Sequence, residues 1–481
     1  MSHYPRLASF KSAAAFRAHC ATLGIDLPCD DAALPAPDSP LAQPVGGLSN
    51  RFAVQPMEGW DGDDDGRPTA LTERRWRNFG GSGAALIWGG EAVAVRRDGR
   101  ANPNQLLLDD TTAAAIGGLR RALLDAWRDV GDGGAPPLVG LQLTHSGRWS
   151  RPSTAGAAPR LACRHPLLDA RVAGCDDAAV LDDGEVEALI AAFAAAARLA
   201  QAEGFDFVDL KHCHGYLLHE FLAARHRPGA WGGVALAARL RLLHALLDSV
   251  GAAAPGLAIG VRLSAFDVVP HRAGADGIGR PDTAPRPYDA AFGLDPAAPE
   301  RMDLSEPIAL TRALVGRGVR LLNITAASPY YAPHAQRPAA FPPSDGYLPP
   351  EDPLVGVARL LDAARQIKRA APRALVVASG WSYLQEYLPH VAQACVRAGW
   401  FDAVGLGRMA LSYPRLPADV LAGRPLDRRR LCRTFSDCTT APRLGLISGC
   451  YPLDPFYRTR PEAAQLAAGK SQRQPPPRRT D

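Results

Sequence analysis

Eight short apolar runs, each followed by a stretch of helical character, punctuate this chain, and few folds accommodate that alternation. The runs lie at 51–57, 84–90, 138–144, 206–211, 257–263, 319–325, 374–379 and 402–407. Strands that alternate with helices form parallel sheets. Near-continuous apolar segments such as 374–378 suit strands buried on both faces. Eight such units predict an α/β fold, a closed (β/α)8 TIM barrel. Between the third and fourth runs, Val186, Leu189, Ile190, Phe193 and Ala197 recur at helical spacing. Asp182 with Glu185 predicts an N-terminal capping box there, and Gly204 a stop.

Some segments fall outside the repeat. Residues 1–45 read as an N-terminal extension with a Pro-rich connection, 46–425 as the barrel, and 426–464 as a C-terminal Cys-containing extension. The Gln-, Pro- and Arg-rich tail, 465–481, is expected to be disordered. Residues 265–302 and 326–352 read as long rim loops after strands five and six, where substrate loops belong.

The 481 residues suffice for a large core. A formal charge of +5, with no basic stretch interleaved with aromatics, argues for a small-molecule substrate and against nucleic acid. Nine cysteines form no regular framework. No leader-like start and no long apolar run is visible, so a cytoplasmic protein with reduced thiols and no membrane attachment is expected. A homo-oligomer is left open.

The stretch 206–222 carries the chemistry. An apolar strand, Phe207 to Leu210, runs into Lys211, His212, His214 and Tyr216. Barrels present catalytic groups at the C-terminal ends of their strands. Lys211 and His214, three apart, are suited to bind a carbonyl oxygen, and the Tyr216 phenol to deliver a proton. The competing reading is a buried strand followed by ordinary helix-start polar residues. A metal site built on His212 and His214 lacks any carboxylate or thiolate set at ligand spacing, so no metal is expected.

These residues resemble the signature of the old yellow enzyme family of FMN-dependent oxidoreductases. His214-Gly215-Tyr216-Leu217, Phe221-Leu222, Arg227 and Trp231-Gly232-Gly233 stand at matching spacing. Asn50-Arg51-Phe52 with Pro56-Met57, Glu91-Ala92, the run Gln142 to Arg148, Arg262-Leu263-Ser264 and Gly407-Arg408 extend the likeness. The resemblance implies an FMN site: Pro56, Met57, Glu58 and Ala92 beside the ring, Gln142 at its edge, and Arg262 near N1 and O2. Ser379, Gly380, Gly407 and Arg408, after strands seven and eight, would hold the phosphate. It implies NAD(P)H as electron donor, Tyr216, His214 and Lys211 as catalytic residues, and Lys211 and His214 as the substrate's oxygen ligands. Tyr330 and Tyr331 are expected to contact the substrate.

The chain departs from the family in four places. Lys211 replaces the first His of the usual pair. Glu58 stands where many relatives carry Cys or Thr; it either pairs with a cation such as Lys211, or points away to the 59–66 loop. Ala237-Ala238 lie near the place of a Glu-Asn pair. Cys432, Cys438 and Cys450 resemble the four-cysteine run of dienoyl-CoA reductases with Phe435 in place of the second. A [4Fe–4S] cluster normally takes four thiolates, so none is expected.

The leading expectation is reduction of an activated C=C bond by NAD(P)H through FMN. An FMN-dependent demethylase or amine dehydrogenase is the alternative, with Tyr330, Tyr331 and Trp381 enclosing a cation. From another class, a flavin-free barrel lyase on a phosphorylated substrate would use Lys211 as a Schiff base, leaving Gln142 and Arg262 without a role.

Overall fold

The computed structural model describes residues 4–131 and 134–472, the last two by backbone alone. Its centre is a closed barrel of eight parallel strands: β1 (Phe52–Val54), β2 (Leu86–Ile87), β4 (Leu138–Thr144), β5 (Phe207–His212), β6 (Ala258–Ser264), β9 (Leu321–Thr325), β10 (Leu375–Ala378) and β11 (Ala403–Leu406). β1 pairs with both β2 and β11, which closes the ring. β3 (Ala92–Ala94) continues the second strand after a break at Gly89-Gly90 and pairs with β4, setting Ala92 opposite Gln142.

Alternation along each strand sorts side chains into two cores. Phe52, Val54, Val208, Leu210, Val376 and Val404 join the large outer core under the helices. Ala53, Trp88, Phe207, Leu375, Val377 and Ala403 fill the barrel floor, where the Trp88 and Phe207 rings meet edge-on at 5.3 Å. The period of two then dictates what stands above that floor. Asp209 and Lys211 follow Phe207, Ser379 follows Val377, and Gly405 and Gly407 follow Ala403. An apolar plug below and polar groups above is a direct product of the sequence alternation.

The helix Asp183–Ala202 begins with the expected capping box between Asp182 and Glu185, and Gly204 leaves it at φ +83°. The rim loops hold more structure than their composition suggests. Residues 265–302 contain an antiparallel hairpin of β7 (His271–Ala273) and β8 (Gly279–Pro281), and residues 326–352 a helical turn, Pro333–Gln336. The N-terminal segment forms the helix Ala13–Thr22, whose Phe16 stacks on Tyr387 at 4.5 Å.

The tail expectation needs correction. Residues 465–472 belong to the helix Pro461–Gln472; Leu466 packs there with Ala441, Tyr451 and Tyr457, which supplies the apolar contact the composition obscured. Positions 473–481 lie outside the described residues. No helix among the described residues is long and apolar enough to cross a membrane.

Candidate active site

A cavity of about 260 Å³ opens at the C-terminal ends of the strands. Pro56, Met57, Glu58, Ala92, Gln142, Lys211, His214, Tyr216, Arg262, Tyr330, Ser379, Gly380, Gly407 and Arg408 all line it. Tyr331 does not: it is buried, and its hydroxyl donates to Asp267 at 2.7 Å. His212 points outward and binds the Leu210 carbonyl through Nδ1 at 3.0 Å.

Glu58 is the hub of the inner wall. Its carboxylate lies 3.5 Å from the Lys211 ammonium, with side chains 17% and 5% exposed respectively. It accepts the Tyr216 hydroxyl at 3.0 Å, while Tyr216 also meets the Tyr330 hydroxyl at 3.0 Å. The loop role weighed for Glu58 falls instead to Glu91, which accepts the Gly59 amide and pairs with Arg75. Lys211 sits 3.7 Å above the centre of the Tyr216 ring, a cation–π contact that fixes the phenol's plane. Trp149 stacks on Tyr330 at 4.4 Å and extends the aromatic wall.

Electrostatics follow from this packing. Burial depresses the Lys211 pKa, and Glu58 partly restores it. Burial, reinforced by Glu58, pushes the Tyr216 phenol well above its usual range, so the hydroxyl keeps its proton. Burial, with Arg262 and Lys211 nearby, holds His214 well below its ordinary value and hence neutral. His214 occupies a left-handed backbone conformation at φ +67°, uncommon for a residue with a side chain and often found at functional turns. Its Nε2 approaches Thr325 and Gln336.

Below this layer lies Asp209, a residue sequence reasoning passed over although it stands in the informative stretch. It accepts Gln142 Nε2 at 2.5 Å, Trp88 Nε1 at 2.8 Å and the Arg262 amide at 2.6 Å. Burial raises it to about 6 against the pull of those donors. Gln142 therefore spends its amide nitrogen on Asp209 and keeps its carbonyl for the cavity. The Ala92 carbonyl is already taken by Gln105.

The residues fit a flavin carrying a phosphorylated side chain. Arg262 is buried, its Nε has no partner, and no carboxylate lies within ion-pair distance among the described residues. Such an orphaned cation is costly unless a ligand accepts from it. Arg408 likewise has a buried, unpaired Nη1, while its Nη2 donates to the Pro338 carbonyl at 2.8 Å. A Cβ built on Gly407 would meet Met57 at 3.4 Å and Gln55 at 4.0 Å, ordinary contacts that leave that backbone open to the cavity. Beneath it Gln55, Asn323 and Ser379 form a buried hydrogen-bonded set.

Other signature residues turn out to brace the site. Arg148 is buried between Glu220 and Asp169, and Arg227 ties down the Ala162 and Leu181 carbonyls. Cys432, Cys438 and Cys450 are free thiols; no group of three or more His, Cys, Asp or Glu able to hold a metal occurs among the described residues. Cys438, Thr439, Pro442 and Arg443, from the C-terminal extension, complete the cavity wall. No strand pattern announced that contribution.

An eight-stranded parallel barrel whose rim cavity gathers cationic and phenolic groups with two partly unpaired guanidinium groups suits a flavin-binding protein. Residues 40–277 match the model of the NADH:flavin oxidoreductase / NADH oxidase family, which supports placing the chain with the old yellow enzyme family. It is 29% identical over 218 residues to chanoclavine-I aldehyde reductase of Penicillium roqueforti, covering 44% of this chain and 56% of that protein. The chain thus spans about half the length of that curated relative. Among solved structures, a 2-naphthoyl-CoA reductase complexed with 2-naphthoyl-CoA aligns with TM-score 0.64 at 20% identity, over 87% of this chain and 57% of its own. The old yellow enzyme homologue of Zymomonas mobilis aligns with TM-score 0.55 at 22% identity, over 80% and 93%. These two likenesses establish the barrel.

Proposed function

We propose that this chain is an FMN-dependent oxidoreductase that reduces an activated C=C bond with electrons from NAD(P)H. The observation that carries the reading is the convergence of Lys211, His214 and Tyr216 on one cavity with the unpaired Arg262. When bound, FMN would supply the two-electron hydride chemistry that links the nicotinamide to the alkene. Arg262 would stabilise negative charge at the ring's pyrimidine edge, and Gln142 would present its carbonyl to a ring N–H. Ser379, Gly380, Gly407 and Arg408 would hold the phosphate.

Lys211 and His214 bind the substrate's carbonyl oxygen, where negative charge develops during the reaction. Neutral His214 contributes a hydrogen bond and Lys211 a charge tempered by Glu58. Tyr216 turns its proton from Glu58 to the α-carbon and acts as general acid. Tyr330, 38% exposed and bonded to Tyr216, offers a route for replacing that proton from solvent. The amine-oxidation reading keeps one observation in its favour, a carboxylate at Glu58 facing an aromatic wall, where it would accept a proton instead.

The test is half-reaction kinetics on the purified flavoprotein. Denaturation should release FMN and no FAD. Tyr216→Phe should slow reoxidation by an enal or enone about 10²–10⁴-fold, leaving reduction by nicotinamide nearly intact. Equal slowing of both half-reactions, or rapid flavin reduction by secondary amines and none by NAD(P)H, would reject the reading.

A further inference from the structure

A second group of charges lies at the outer end of the same cavity, and the catalytic scheme above does not use it. Arg337, on the segment after β9, and Arg443, from the C-terminal extension, both line the wall. Arg337 donates to the Thr439 hydroxyl and has no acidic partner within ion-pair distance among the described residues; its Nη2 is inaccessible and unpaired. The neighbouring Gln336 also has an unpaired buried Oε1, while its amide nitrogen meets His214 at 3.1 Å. Arg443 pairs with Asp345 at 2.5 Å and donates to the Pro329 carbonyl at 3.0 Å. With Arg408 adjacent, three guanidinium groups face one region against a single carboxylate. Burial, then Arg443 and Arg408, bring Arg337 down to about 9.

Arg337 borders the phosphate cradle, since Arg408 donates to the carbonyl of the next residue, Pro338, yet it also adjoins the substrate side. Arg337 follows the residue that touches His214, and Arg443 binds the carbonyl of Pro329, next to Tyr330. Both therefore stand on the side of the oxygen ligands and the phenol. Lys211 cannot serve a substrate anion well, because Glu58 already faces it at 3.5 Å.

We infer that Arg337 and Arg443 form a subsite for an oxyanion, a carboxylate or phosphate, carried by the substrate at the end remote from its reacting alkene. The inference rests on the proposed alkene-reductase reading and specifies its substrate class: anionic enals, enones or enoates. Guanidinium forks match oxyanions in geometry, and a partly dry site strengthens the pairing.

The experiment compares 3-(4-hydroxyphenyl)propanoate with 4-propylphenol, probes of similar length that differ in charge, by titrating the flavin absorption of the FMN-loaded protein. The propanoate should bind more tightly and weaken with added salt. Arg337→Met should cost it about ten- to a hundred-fold, changing the propylphenol less than about two-fold. Arg337→Lys should restore part of the loss, and Arg443→Gln provides a second variant should Arg337→Met fail to fold. Equal loss for both probes, or none, overturns the subsite. So does weaker binding of FMN but not riboflavin by Arg337→Met, which would give the guanidinium to the cofactor phosphate. Should the wild type hold no flavin, the functional reading fails, and calorimetry of the two probes against the flavin-free protein still decides the subsite.

Discussion

Glu58→Gln tests the charge balance of the site most directly. Glu58 is the only carboxylate within ion-pair distance of Lys211 among the described residues. At 3.5 Å, opposite unit charges attract by roughly 5 kcal/mol at an effective dielectric of about 20 and by about 1 kcal/mol in water. The side chains, 5% and 17% exposed, place the pair nearer the first figure, and about 3 kcal/mol allows for the water that reaches Glu58. Removing the carboxylate favours the neutral amine, so Lys211 should lose its proton about two pH units lower than in the wild type. Titrating the FMN-loaded protein with 4-propylphenol across the neutral and alkaline range, by flavin absorption, should show the alkaline limb of binding moving toward acid by that amount. Glu58→Asp, which keeps a carboxylate, should move it less. A limb that stays in place, or moves toward alkali, would refute the pairing as the control of Lys211.

Arg262→Ala should lower FMN affinity by at least about ten-fold, measured by fluorescence during cofactor titration, since a charge-assisted contact is lost. Gly405→Ala should cost about 1–3 kcal/mol in unfolding, because its Cβ would lie 1.9 Å from Gln55 Nε2 and disrupt the set with Asn323 and Ser379. Asp209→Asn should raise the melting temperature more at about pH 8 than at about pH 5.5, because it removes a buried carboxylate that wild type is relieved of only as pH falls. Burial raises Asp209 to about 6, and Glu91 and Asp267 to about 7. These carboxyls bind protons in the folded state before the unfolded chain does, so their destabilising ionisation is relieved across that window. A difference between Asp209→Asn and wild type that stays constant over that range would contradict the burial of Asp209 as an ionised group.

The barrel was legible because its strands are short, apolar and spaced by helices, and each of the eight runs encloses an observed strand or overlaps it closely. The site was legible where residues stand at or just past a strand end, as at Lys211, Ser379 and Gly407, since strand period and rim position fix their direction. What escaped the sequence depends on tertiary contact. Asp209 reads as a polar interruption of an apolar strand until Trp88, Gln142 and the Arg262 amide are seen converging on it. Tyr331 sits beside Tyr330 in the chain, yet one hydroxyl reaches Tyr216 and the other turns to Asp267. The hairpin of β7 and β8 lacks the alternation that would mark strands. Arg443 belongs to a segment whose cysteines drew attention to a different chemistry.

The C-terminal extension that walls the cavity also sets the order in which the site can come into being. Strand β1 brings Met57 and Glu58 to the rim early in synthesis, whereas Cys438, Thr439 and Arg443 arrive only after all eight barrel strands have been made. During that interval the cofactor cradle stands open on one side. Glu58 shares the cavity wall with Cys438, so without that wall the carboxylate is more open to water and its attraction to Lys211 weaker. Completion of the last turns of the chain therefore draws a more solvated ion pair into a largely buried one, so the final docking of this segment strengthens the charge pairing at the rim.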